Sequence, residues 1–100
     1  MTSDIQFVKM PTSEALTQFT TEKLNKLSSK YSWVIHADVF FKTENNATQE
    51  KTCEMELSLP GPKIFASSTE KNFELAVKQT ISDLEKQLKK RKEVTFRANH

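Results

Sequence analysis

Hydrophobic and polar positions alternate along this chain in two rhythms, and their order predicts its elements. Asp4 to Met10 places Ile5 and Phe7 on one side and Gln6 on the other, the period of two that marks a strand. Met10-Pro11-Thr12-Ser13-Glu14 reads as a helix entry, with Thr12 or Ser13 as the cap and Glu14 at the positive end of the dipole. Leu16, Phe19, Leu24, Leu27 and Tyr31 then follow helical spacing and mark one buried stripe. Glu22, Lys23, Lys26 and Lys30 occupy the opposite side, and Ser28-Ser29 weakens the last turns, so the helix is expected to end near Lys30.

Val34 to Thr43 returns to period two. Ile35, Ala37, Val39 and Phe41 point one way; His36, Asp38, Phe40 and Lys42 point the other. Residues 44–50 are polar and read as a flexible connector. Lys51 to Leu59 alternates again, with Cys53, Met55, Leu57 and Leu59 inward and Thr52, Glu54, Glu56 and Ser58 outward. Pro60-Gly61-Pro62 forces a turn, and Lys63 to Ser67 comes back as a fourth strand with Ile64 and Ala66 inward. A second helix carries Phe73, Ala76, Val77, Thr80, Ile81, Leu84 and Leu88 as a continuous stripe, capped by Asn72, Thr69 or Ser67.

The order β-α-β-β-β-α, with one apolar face per strand, predicts an α+β fold: a four-stranded sheet with two helices packed on one face. The first two strands, joined through a helix, are expected to run parallel. One hundred residues suffice for a single domain, expected over residues 1–93, with 94–100 as a short C-terminal tail.

Composition removes several functional classes. Cys53 is the only cysteine, so there is neither a disulfide framework nor a thiolate metal site. It falls on an apolar face, where a packed thiol is the ordinary state. His36 and His100 have no partner at metal-ligand or triad spacing, and Gly61 is the sole glycine, which excludes a glycine-rich phosphate loop. No run approaches the roughly 20 apolar residues of a membrane span. The N-terminus, with Asp4 and no apolar stretch, is unlike a signal peptide. These features lead to expectations of a non-enzymatic, cytoplasmic protein without metal or cofactor and without membrane association, monomeric when free.

Net charge is only +2, so the distribution of charge has to carry any case for a polyanionic partner. Lys86-Gln87-Leu88-Lys89-Lys90-Arg91-Lys92 puts five positive charges on about two turns of the second helix. A helix C-terminus is complemented by one or two cations, whereas five adjacent ones repel one another unless an anionic partner meets them. A solvated helix end is the competing reading. Lys23, Lys26 and Lys30 form a second basic line that merges with the first if the helices lie side by side. The sheet's open face offers Phe40 and Phe65 for base stacking, but Asp38, Glu54 and Glu56 on the same face repel phosphates. Trp33 follows the first helix and is expected to pack over the end of the core.

The stretch Ala66-Ser67-Ser68-Thr69-Glu70-Lys71-Asn72-Phe73-Glu74-Leu75-Ala76-Val77, leading into Ile81-Ser82-Asp83-Leu84-Glu85-Lys86-Gln87-Leu88-Lys89-Lys90, resembles the ribosome hibernation promoting factors and the ribosome-associated inhibitor A (protein Y) family. Ser13-Glu14-Ala15-Leu16, Lys23-Leu24-Asn25-Lys26-Leu27 and Val39-Phe40-Phe41-Lys42-Thr43-Glu44 match the same pattern, so the resemblance spans nearly the whole chain. It implies a translation inhibitor that occupies the messenger and transfer RNA channel of the small ribosomal subunit in stationary phase or stress. The matching positions it nominates for rRNA are Lys23, Lys26, Lys86, Gln87 and Lys90, with Lys30, Lys89, Arg91 and Lys92 added as basic neighbours. The chain departs from the pattern at Asn72, Glu74 and Lys78, where the family often has an acid, an aromatic and another acid. With neither acidic tail nor second domain after the basic run, it looks like a short form. A general RNA-binding module of the double-stranded type, and a protein-interaction domain using Phe40 and Phe65, are the alternatives.

Overall fold

The computed structural model describes residues 1–43 and 50–98. In chain order the elements are β1 (Thr2–Phe7), α1 (Glu14–Lys30), β2 (His36–Thr43), β3 (Lys51–Ser58), β4 (Ile64–Glu70) and α2 (Phe73–Ala98). The strands form one sheet in the order β1-β2-β3-β4; β1 runs parallel to β2, and the remaining pairs are antiparallel. This is the expected α+β fold. The polar connector foreseen over residues 44–50 lies outside the described residues except for Glu50.

The sheet's inward face supplies Ala37, Val39, Phe41, Cys53, Met55, Leu57, Ile64 and Ala66, and both helices bury their stripes in the same core. From α1 come Leu16, Leu24 and Leu27; from α2 come Ala76, Val77, Leu84 and Leu88. Phe41 stacks on Phe7 and meets the edge of Phe73, which ties β1, β2 and α2 together. Thr20 and Thr80 are polar yet fully buried in this interior. Each hydroxyl donates to the carbonyl four residues back, Leu16 and Ala76 respectively, at 2.7 Å, so burial leaves neither unsatisfied.

The two helices run parallel. Ser13, Ala15 and Leu16 at the start of α1 line one hollow with Asn72, Phe73 and Glu74 at the start of α2. Lys30, which ends α1, meets Glu85 well along α2. Ser13 is the α1 cap, accepting from the Leu16 amide, and Asn72 caps α2 by accepting from the Leu75 amide at 2.9 Å.

Several element ends differ from the sequence expectation. β1 spans Thr2–Phe7 rather than Asp4–Met10: Lys9 adopts φ 54°, which turns the chain out of the sheet, and the Thr2 amide donates to the Ile35 carbonyl. β2 begins at His36, not Val34; ahead of it the alternation breaks, so Val34 is buried and Ile35 is 59% exposed. Thr52, expected outward and wet, is buried because its hydroxyl pairs with that of Thr69 on the neighbouring strand. β4 continues three residues beyond Ser67, since Ser68, Thr69 and Glu70 find ladder partners in Cys53, Thr52 and Lys51. α2 runs on to Ala98, so residues 94–98 of the expected tail are helical. Trp33 packs against the core and edge-on to Tyr31, as expected.

Candidate nucleic-acid interface

Burial of Leu84 and Leu88 fixes the rotation of α2, and with it the placement of every basic side chain around them. Lys86, Lys89, Lys90 and Lys92 are exposed. Because α2 ends at Ala98, Lys86 to Lys90 stand eight or more residues before its end (98 − 90 = 8). The helix dipole acts within the last turn, so it does not account for these charges.

The structure brings the α1 line to the same side. Lys23, Lys26 and Lys30, with Leu27, line a groove whose far wall is Ile81 and Glu85 of α2. Lys30 Nζ lies 3.3 Å from Glu85 Oε2, and the Tyr31 hydroxyl donates to the same oxygen at 3.5 Å. Burial and then the Glu85 charge raise the Tyr31 pKa above its ordinary value. Lys23 sits 5.4 Å above the Phe19 ring. Lys89, four residues after Glu85, continues this flank by one turn.

Other nominated residues face elsewhere. Gln87 and Arg91 are half-buried on the β4 side of α2. Gln87 Nε2 donates to the Phe65 carbonyl at 2.9 Å, and Arg91 Nη1 donates to the Pro62 carbonyl. Lys90 lines a groove with these two, Ile64 and Val94. The basic set therefore divides into a groove between the helices, an outer ridge of Lys86 and Lys90, and a β4 flank where two side chains already hold backbone acceptors.

The opposite face of the sheet is acidic and largely self-paired. Lys42 meets Glu54 at 2.8 Å and Lys63 meets Glu56 at 3.2 Å. Phe65 is 53% exposed among them. Contrary to the sequence reading, His36 does have close partners. Parallel pairing sets Asp4 beside Asp38, and His36 Nε2 lies 3.4 Å from Asp4 Oδ2 and 3.2 Å from Asp38 Oδ1. The three residues could ligate a cation, all ligand atoms lying within 4.8 Å, though the group is open to solvent. Nothing in the spacing of Asp4 and His36 signals this contact; it arises from strand register. Cys53 is fully buried, and burial pushes its thiol up to about 12, so it is no nucleophile. Among the described residues, no helix is long and apolar enough to cross a membrane.

A small α+β domain with a basic two-helix face and an acidic sheet face has the makings of a polyanion-binding module, and comparison with known proteins narrows the class. Residues 3–95 match the family described as sigma 54 modulation protein / S30EA ribosomal protein, and the chain belongs to that family. It is thus a ribosome-associated factor. The structure is similar to that of a ribosomal subunit interface protein from Coxiella burnetii, with TM-score 0.84 and 22% identity over 93% of this chain and 99% of that one. It is also similar to the N-terminal domain of Thermus thermophilus Protein Y, with TM-score 0.74 and 19% identity over 89% and 93% of the two chains. No curated protein matches the sequence.

Proposed function

We propose that the chain binds the small ribosomal subunit through its two-helix face and silences translation in stationary phase or stress by filling the messenger and transfer RNA channel. One observation carries this reading: Lys86, Lys89 and Lys90 are exposed in the body of α2, beyond reach of its dipole, and Lys23, Lys26 and Lys30 flank them. The partner is rRNA, contacted through phosphates. The protein acts in the cytoplasm, as a monomer when free, with no metal or cofactor, and residues 1–93 form the binding domain. The names of its structural neighbours, a subunit interface protein and a Protein Y domain, point the same way.

Each neutralised phosphate releases counterions, so subunit affinity falls steeply with salt. The test is sedimentation with purified small subunits across salt, comparing Lys86→Ala with Lys90→Ala against Lys9→Ala with Lys71→Ala. The latter pair is exposed and lies toward the N-terminal ends of the helices. The α2 pair should lose far more affinity and flatten the log–log slope by about one per lost contact. Equal losses in the two pairs would show that net charge alone governs binding. Binding should also compete with messenger RNA and initiator transfer RNA; simultaneous binding without mutual loss of affinity rules out the channel.

A further inference from the structure

Among the described residues, Glu85 is the one carboxylate lining a groove whose other ionisable groups are three lysines. Its side chain is 25% exposed, against 64% for Lys30, so the acid forms the groove's wall while the lysine reaches in from solvent. Two donors converge on a single oxygen of it, the Lys30 ammonium at 3.3 Å and the Tyr31 hydroxyl at 3.5 Å. An ammonium and a hydroxyl on one oxygen are the donors a phosphate oxygen would take in that position. The carboxylate thus stands where an arriving phosphate would stand.

We propose that Glu85 is an internal counter-anion: it holds Lys30 in the groove between the helices, must be outcompeted by an incoming RNA phosphate, and thereby limits binding to indiscriminate polyanions. This rests on the two-helix face being the RNA-binding surface. A partly exposed ion pair is weak, so displacement is feasible. An RNA that docks by shape presents a phosphate to the groove at a fixed place and displaces the carboxylate. A polyanion bound only by its charge gains less from Lys30 because that charge is already answered. Glu85 is a positioning and selectivity residue, acting through Lys30.

The variant that isolates the charge is Glu85→Gln, which keeps the shape and still accepts hydrogen bonds from Lys30 and Tyr31. Binding is measured across salt to an RNA duplex of arbitrary sequence and, separately, to purified small subunits. For the duplex, Glu85→Gln should bind more tightly at low salt and steepen the log–log slope by about one, which is about a fourfold greater loss between 50 and 200 mM salt. Affinity for subunits should rise less, so the preference for subunits narrows. Lys30→Gln should cost little duplex affinity in the natural chain and clearly more in the Glu85→Gln background, a coupling that loss of packing does not produce. Unchanged or weaker duplex binding by a folded Glu85→Gln protein overturns the proposal, as does an equal cost of Lys30→Gln in both backgrounds. Failure of the natural chain to sediment with subunits would instead sink the ribosomal reading, while the duplex series still decides the role of Glu85.

Discussion

Cys53 lies in β3, an inner strand beneath α2, where the Thr80 hydroxyl reaches its backbone carbonyl at 3.4 Å. Burial keeps its thiol protonated up to about 12. Between about pH 9 and pH 12 the unfolded chain loses this proton and the folded chain keeps it, so stability falls as pH rises, by at most about 1.4 kcal/mol per unit. The raised Tyr31 phenol adds in the same sense above its ordinary pKa of 10.0. Urea midpoints at pH 8 and pH 10.5 should therefore drop less steeply with pH in Cys53→Ala than in the natural chain; parallel declines would mean the thiol titrates normally. Leu84, fully buried between α2 and the sheet, gives the packing counterpart. Leu84→Ala should cost about 2–5 kcal/mol in denaturation, and a loss below about half a kcal/mol would contradict the orientation of the helix. Apolar residues of this kind were legible from spacing alone. Thr80 was legible with them, as part of the α2 stripe; Thr20 and Thr52 were not, because a hydroxyl is buried only when a particular acceptor meets it, and sequence does not display acceptors.

Six elements were legible in order and type, since period two and period 3.6 are each repeated over enough residues to stand out. Their ends were less so, for identifiable reasons. The final residues of β4, Ser68-Thr69-Glu70, have no apolar signature and are strand only because β3 lies alongside. That extension removes Ser67 and Thr69 as caps and leaves Asn72. Asn72→Ala should cost about 1 kcal/mol, readable as a lower thermal midpoint. A restored midpoint in Asn72→Asp, which also adds favourable charge at the helix start, would separate capping from packing. The β3–β4 hairpin depends on Gly61 at φ 90°, a conformation a side chain resists. Gly61→Ala would meet Arg91 Nη1 only at 3.8 Å, ordinary contact, so any destabilisation there comes from the backbone and not from crowding.

At the scale of the whole molecule, charge is uneven: on the helices basic side chains outnumber acidic ones, while the open sheet face holds carboxylates together with their basic partners. The candidate surface was legible as two basic lines, because each lies within one helix. Their joining across Glu85, and the turning of Gln87 and Arg91 away toward β4, depend on tertiary packing and left no trace in spacing. This turning has a consequence for the company the protein keeps in solution. β4 is an outer strand, and an outer strand with free carbonyls invites another chain to add itself in register. By occupying the Phe65 carbonyl on that border and the Pro62 carbonyl in the turn that leads into it, Gln87 and Arg91 act as shutters at the start of the strand. Gln87→Ala with Arg91→Ala should then leave the salt slope of RNA binding nearly unchanged, while light scattering registers faster concentration-dependent aggregation on mild heating. A strongly flattened salt slope without aggregation would make them RNA contacts after all. Two side chains within a basic run would thus serve to keep this protein's copies apart.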